Sequence, residues 1–262
     1  MDLDAAMTPV RAGGGFDWDI PDGWQQGKGA FGGLVAGAMI NAGSAVLDDE
    51  ARPLRAMTLE IMSPAIVGAS AIEVVPLRAG SSVTVMRVEL RQAGEAVAHA
   101  VLTFGRDRDD SQWQAIDPPE LPPWESVPVA PVSGPPAPVF TRHMEYRTSA
   151  GTPFTGTAVR EVVGWVRPRT PGAARGAGYI AACIDAYWPA SLIGMRAPRP
   201  MATLTFTLLI ASDLRGVASD APLVYRARAL AAGSGYVPEL RELWTPDGRL
   251  IAINPQTFAV SR

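Results

Sequence analysis

One cysteine in 262 residues rules out an internal disulfide, so Cys183 is a lone thiol. Histidine is almost as scarce. His99 and His143 are the only two, and with a single thiol beside them no zinc site of the usual His/Cys kind can be assembled, so no metal is expected. Basic charge is not in excess either: 23 Lys and Arg against 26 Asp and Glu leave a formal net charge of −3. That balance offers no broad basic face to nucleic acid or to an anionic membrane. Long apolar runs are missing too, each being broken by Gly, Arg or Pro within about a dozen residues, which is too short to span a membrane. The opening MDLDAAMTPVRAGGG has no basic segment leading into an apolar one, so a cytoplasmic location is expected.

What is present is a 47% hydrophobic chain, enough for a substantial core. From Arg106 to about Val139 the sequence turns charged and then crowded with proline, which removes ladder donors and fixes φ. This reads as an extended connector (106–139) between an N-terminal unit (1–105) and a C-terminal unit (140–262). Each unit has the same order of elements. A Gly/Ala-rich helix-like stretch (FGGLVAGAMINAGSAVLDD; GAGYIAACIDAYWPASLIG) precedes a series of alternating, strand-like segments. Constant offsets support a duplication: Gly94, Thr103 and Phe104 recur 154 positions later as Gly248, Thr257 and Phe258. Arg87 is set opposite Arg241 in the preceding strands. Ile40-Asn41-Ala42 recurs at 144 as Ile184-Asp185-Ala186, and Thr58-Leu59 at 145 as Thr203-Leu204. One helix followed by several long antiparallel strands suggests a sheet wrapped around its own helix. Small residues on the helix would suit its burial against that curved sheet. The fold class expected is therefore α+β, a double hotdog whose two sheets join edge to edge and so hide one edge each.

Three stretches resemble the acyl-CoA thioesterase II (TesB-like) family of double-hotdog hydrolases. They are GAFGGLVAGAMINA at 29–42, the strand series LRAMTLEIMSPAIVGASAIEVVPLRAGSSVTVMRVELRQAGEAVAHAVLTF, and LIAINPQTFAV near the end. The resemblance implies an Asp, Thr and Gln set in the second unit that holds and activates a water. Its members fall on Asp185, Thr203 and Gln256, where the first unit has Asn41, Thr58 and Leu102. Hydrolysis of acyl-CoA by such a water needs no metal, cofactor or covalent intermediate, provided burial raises the proton affinity of the aspartate. Gly32 and Gly33 before the first helix, and Gly176 and Gly178 before the second, let a carbonyl approach free backbone N–H groups. Tyr187 and Trp188 are candidates for the acyl pocket, and Arg78, Arg87, Arg147, Arg167 and Arg175 for the phosphates of coenzyme A. Further association into a homodimer or larger assembly is expected of such units.

Each residue also has a plainer reading. Asp185 fits a surface helix carboxylate, Thr203 an ordinary strand residue, and Gln256, beside Pro255, an edge strand. The strand after Thr203 continues Leu204, Thr205, Phe206, Thr207, Leu208, Leu209 rather than with the polar and aromatic run usual in the family. That departure favours the alternative of a hotdog protein that binds acyl-CoA or another apolar ligand without turning it over. A hydratase would need an Asp-His pair at a hotdog helix, and neither histidine is so placed. Gly27-Lys28-Gly29-Ala30-Phe31-Gly32 matches a dinucleotide-binding fingerprint, but no apolar strand precedes it. No Gly-x-Ser-x-Gly elbow occurs, and Cys183 reads as a small buried hydrophobe.

Overall fold

The computed structural model describes residues 1–108, 113–132 and 134–261. The first half runs α1 (Leu3–Ala6), β1 (Val10–Ala12), β2 (Gly15–Ile20), the small hairpin β3 (Gln25–Gln26) and β4 (Gly29–Ala30), and α2 (Gly32–Leu47). It continues with β5 (Leu54–Ile61), β6 (Gly68–Ala79), β7 (Val83–Gln92) and β8 (Glu95–Gly105). The second half runs β9 (Met144–Ala150), β10 (Glu161–Pro168), α3 (Ala177–Asp185), β11 (Met201–Ile210), β12 (Leu223–Ala229), β13 (Tyr236–Trp244) and β14 (Leu250–Val260). Among the described residues twelve strands form one antiparallel sheet in the order β1-β2-β6-β7-β8-β5-β11-β14-β13-β12-β10-β9. The order is symmetric about the β5–β11 pair, so the chain is a double hotdog with the two inner edges joined. The helix-like stretch of the second half is shorter than its pattern suggests: α3 stops at Asp185, and Ala190–Gly194 forms a separate 3₁₀ turn after Pro189.

Strand register corrects part of the repeat alignment. Leu102 pairs with Met57 and Gln256 pairs with Phe206. Keeping the offset of 154 for β8 and β14 therefore sets β5 against β11 at 149, not 145. Thr58 corresponds to Thr207, and Thr203 to Leu54. Likewise Met86 pairs with Leu102 and Glu239 with Gln256, so β7 and β13 are related by 153. Val88, not Arg87, holds the place of Arg241. Irregularities recur at matching positions, Leu54/Ala56 with Thr203/Thr205 and Leu90/Arg91 with Leu243/Trp244. A bulge is a built feature of a strand, so its recurrence is strong support for duplication.

The small residues of the helices serve helix-on-helix packing as well as packing on the sheet. α2 and α3 lie antiparallel: a β-carbon at Gly33 would stand 2.9 Å from Ala182 Cα, and one at Gly37 would stand 3.3 Å from the Gly178 carbonyl oxygen. On the outer face of the second half the connector lays Trp124 and Val127 over Trp165, Val224 and Trp244. Pro255 lies in an interior strand, not at an edge, since β14 is flanked by β11 and β13.

Candidate functional site

Alternation along two strands and the end of one helix bring five polar side chains together on the inner face of the second half. β14 turns Asn254 and Gln256 inward, and β13 turns Glu239 and Arg241 inward beside them, Glu239 opposite Gln256 and Arg241 opposite Asn254. Asp185, the last residue of α3, reaches this group from above. Gln256 Nε2 donates to Asp185 Oδ1 at 2.7 Å and to Asn254 Oδ1 at 2.6 Å. Arg241 Nη1 donates to the same Asp185 Oδ1 at 2.8 Å, and its Nε donates to Glu239 Oε1 at 2.9 Å. The other oxygen of Glu239 accepts the Ala190 N–H at 2.7 Å, at the start of the 3₁₀ turn. All are buried; Glu239 and Arg241 are each 1% exposed, Gln256 2% and Asp185 8%. Gln256 Oε1 is a buried acceptor with no hydrogen-bond partner among the described residues.

The first turn of the other half's helix completes the site. Asp185 Oδ2 would lie 2.9 Å from a β-carbon at Gly32, and the Gly33 N–H faces the same carboxylate. Helix N-termini carry unpaired N–H groups and a partial positive charge, so this is where an anion or a polarised carbonyl is held best. Gly32 is partly exposed while Gly33 is buried, which makes Gly32 the open side of the carboxylate.

Electrostatics here oppose one another. Burial raises the Asp185 carboxyl above the ordinary range, although Arg241, Gln256 and Gly33 pull it back down. Burial likewise raises Glu239, with Arg241 opposing. One guanidinium serves two carboxylates, so the cluster carries one net negative charge when both are ionised. It is neutral when one holds a proton, and the two groups therefore titrate as a coupled pair. The Cys183 thiol, two residues before Asp185, is pushed up to about 12 by burial and is no thiolate near neutral pH.

The first half provides an internal comparison. At the corrected offsets the places of Glu239, Arg241, Asn254 and Gln256 are taken by Met86, Val88, Ala100 and Leu102, all buried. Asn41, matched to Asp185, donates from Nδ2 to the Met7 carbonyl at 3.0 Å, and its Oδ1 lies 2.7 Å from where a Gly178 β-carbon would be. At these four positions the fold is thus built with apolar side chains in one half. Burying polar and charged groups costs free energy unless they are paired, and at the matched positions only the second half buries them.

The structure brings Asp185, Gln256, Gly32 and Gly33 together. Thr203 is opposite Phe258, and the bulge beside it turns it toward the inner face, but none of the hydrogen bonds of Asp185 or Gln256 reaches it. Gly176 and Gly178 open α3 at the other end of the helix pair, Gly178 beside Asn41. Tyr187 donates to the Trp165 carbonyl at 2.9 Å and stacks on Tyr225, while Trp188 donates to the Gly151 carbonyl at 2.9 Å. Of the arginines considered for phosphate binding, Arg147 and Arg167 pair with Glu145 and lie over Trp124 on the outer face, away from Asp185. Arg87 pairs with Glu73, Arg175 donates to backbone carbonyls, and Arg78 is exposed. Glu239, Arg241 and Asn254 were not singled out from sequence. Their inward spacing at i, i+2 in two neighbouring strands was the available signal, masked by setting Arg87 opposite Arg241. A shallow cavity of about 610 Å³ lined by Arg215, Asp247 and Arg249, and another of about 330 Å³ lined by Ser70 and Arg91, both lie away from these residues.

Comparison with known proteins agrees with this architecture. A conserved protein of unknown function with a hot dog fold from Alicyclobacillus acidocaldarius has a TM-score of 0.90 at 25% identity, covering 99% of this chain and 98% of that one. A TesB protein of Mycobacterium avium subspecies paratuberculosis has a TM-score of 0.83 at 18% identity (99% and 98%). An acyl-CoA thioesterase II of Mycobacterium marinum has a TM-score of 0.78 at 19% identity (100% and 97%). No curated protein sequence matches the chain. Residues 20–105 match the acyl-CoA thioesterase N-terminal domain and residues 117–260 the acyl-CoA thioesterase C-terminal domain, and the chain therefore belongs to the acyl-CoA thioesterase family.

Proposed function

We propose that the protein is a thioester hydrolase that converts acyl-CoA to the free acid and coenzyme A, using a water activated by Asp185. The reading is carried by one observation: a buried polar cluster centred on Asp185, at the first turn of α2, whose strand positions are filled by Met86, Val88, Ala100 and Leu102 in the other half of the same fold. Asp185 Oδ2 and the unpartnered Gln256 Oε1 are two acceptors for the two protons of a water, and Thr203 is proposed as a third contact from β11. As the water oxygen bonds to the thioester carbonyl carbon, Asp185 takes one of its protons. The Gly32 N–H is proposed to receive the carbonyl oxygen as it gathers negative charge, beside the Gly33 N–H that holds the Asp185 carboxylate. Collapse of the adduct breaks the C–S bond, and the proton held by Asp185 passes to the departing thiolate. Tyr187 and Trp188 are proposed to border the acyl chain. In this reading Gly176 and Gly178, at the start of α3, form the vestigial counterpart of the Gly32 turn.

A second reading, binding of acyl-CoA or another apolar ligand without turnover, is favoured by the strand after Thr203, which continues Leu204, Thr205, Phe206, Thr207, Leu208, Leu209 in place of the family's polar run. Release of free thiol from a panel of CoA esters, short to long and aromatic, separates the two. Turnover on any member supports hydrolysis. A folded wild type that is inactive on all of them refutes it, and the ligand retained through purification then becomes the object to identify. No described helix is long and apolar enough to cross a membrane. Association of double units into a homodimer or larger assembly is proposed and is read by sedimentation.

A further inference from the structure

Glu239 and Arg241 are not needed to build this fold, since Met86 and Val88 fill their places in the first half and are equally buried. A buried ion pair is often no more stabilising than a well-packed apolar pair of similar size. A charged pair kept in one half alone, in contact with Asp185, points to a role in that half's chemistry. The geometry is specific. Arg241 is gripped on one side by Glu239, which is itself anchored on the Ala190 N–H, and on the other by Asp185 Oδ1 at 2.8 Å and the Asp185 carbonyl oxygen at 3.2 Å.

Building on the proposed hydrolysis, we infer that Arg241 and Glu239 are positioning residues for Asp185. Arg241 fixes Oδ1 so that Oδ2 faces the first turn of α2, and Glu239 draws off part of the guanidinium so that Asp185 still accepts a proton. With Arg241 alone, the carboxylate would be held as an ion pair and would be a poor base. With neither, burial would favour its protonated form. The titratable and charged groups around Asp185 are Arg241 and Glu239 from β13, Tyr225 from β12, Tyr146 from β9, and Tyr187 and Cys183 on its own segment. Gln256 and Asn254 on β14 and the start of α2 bring dipoles only. Burial holds the tyrosines and the thiol well above neutrality, so Arg241 and Glu239 are the two charges that decide the state of Asp185.

The signs of the two residues are opposite, and that is the test. Losing the negative charge of Glu239 stabilises ionised Asp185, so Glu239→Gln moves the acid limb of the kcat/KM profile to lower pH. Losing the positive charge of Arg241 destabilises it, so Arg241→Val moves that limb to higher pH, each by at least about half a pH unit. The double variant Glu239→Met/Arg241→Val copies the first half's residues. It is expected to fold, and its limb lies above the wild-type position because the direct partner of Asp185 is gone. The same variants are titrated by carboxyl ¹³C NMR, with the Asp185 signal assigned by its loss in Asp185→Asn. That arm reads the pair even where the wild type releases no thiol, an outcome that sinks the hydrolase reading but not this one. Shifts of opposite sign support the inference. Limbs and titrations that stay put, or move together as a loss of stability would move them, overturn it. Should Arg241→Val fail to fold, Glu239→Gln and the double variant decide alone.

Discussion

Replacing Gly32 with alanine separates the chemistry of this site from its packing. Gly32 has ordinary backbone angles, so alanine adds no strain there, and alanine is the better helix former. The new β-carbon, however, would stand 2.9 Å from Asp185 Oδ2, while its next neighbour, Ile61 Cδ1, is at 3.8 Å. Ordinary contact between these atoms needs about 3.4 Å, so the carboxyl has to withdraw by roughly 0.5 Å. It cannot do so freely, because its other oxygen is held by Arg241 and Gln256. A displacement of about 1 Å in a catalytic group costs on the order of a hundredfold in rate, so half that distance predicts about a tenfold fall in kcat/KM, near 1.4 kcal/mol of transition-state stabilisation. Thermal stability should change little. Gly33→Ala is the companion, because its β-carbon would meet Ala182 Cα at 2.9 Å and the Ala181 carbonyl oxygen at 3.0 Å, both backbone atoms of α3. Overpacking of that kind costs about 1–3 kcal/mol, or several degrees in Tm for a chain of this size. Thiol release from a CoA ester and a thermal melt on both variants check the pair. Full activity in Gly32→Ala, or a large fall in its Tm, would refute the placement of Oδ2 at the start of α2.

Gln256→Leu imports the residue at the matching place of the first half, so it should fold normally yet lose about a hundredfold in kcat/KM, since the proposed water contact and one tie on Asp185 go together; unchanged kinetics would remove Gln256 from the site. Because burial raises Asp185 and Glu239, the folded state holds their protons more tightly than the unfolded chain, and their contribution is favourable in acid and lost as pH rises through the folded values. Asp185→Asn should therefore gain more Tm relative to wild type at pH 8 than at pH 5; melts showing the reverse order contradict the raised values. Trp124→Ala, on the outer face, should cost about 3 kcal/mol by exposing Trp165 and Trp244 and freeing Arg147 and Arg167, with kcat/KM per folded molecule unaltered.

The double hotdog was legible in the chain because it rests on local signals: a Gly/Ala-rich helix before alternating segments, twice, with a proline-rich stretch between them. Asp185 and Gln256 were legible only through resemblance, since a single Asp in a helix and a Gln beside a proline carry no pattern of their own. The ion pair behind them was hidden for a definite physical reason. Loops change length in duplicated units, so offsets drift from strand to strand, and a slip of one position turns every side chain to the other face. Setting Arg87 opposite Arg241 made that such a slip: Arg87 lies on the outer face with Glu73, and Arg241 on the inner face with Asp185. Hydrogen-bond register, which pairs β7 with β8 and β13 with β14, restores Val88 to that place and exposes the asymmetry of the two halves.

The most direct measurement on the central claim is kcat/KM for the best CoA ester with wild type and Asp185→Asn, alongside the affinity of each for the same ester's non-hydrolysable thioether. The account predicts a fall of at least about a hundredfold in turnover with affinity held within a few fold, because a base is lost and the binding surface is not. Equal turnover in the two proteins would place the reacting water elsewhere and contradict the role given to Asp185.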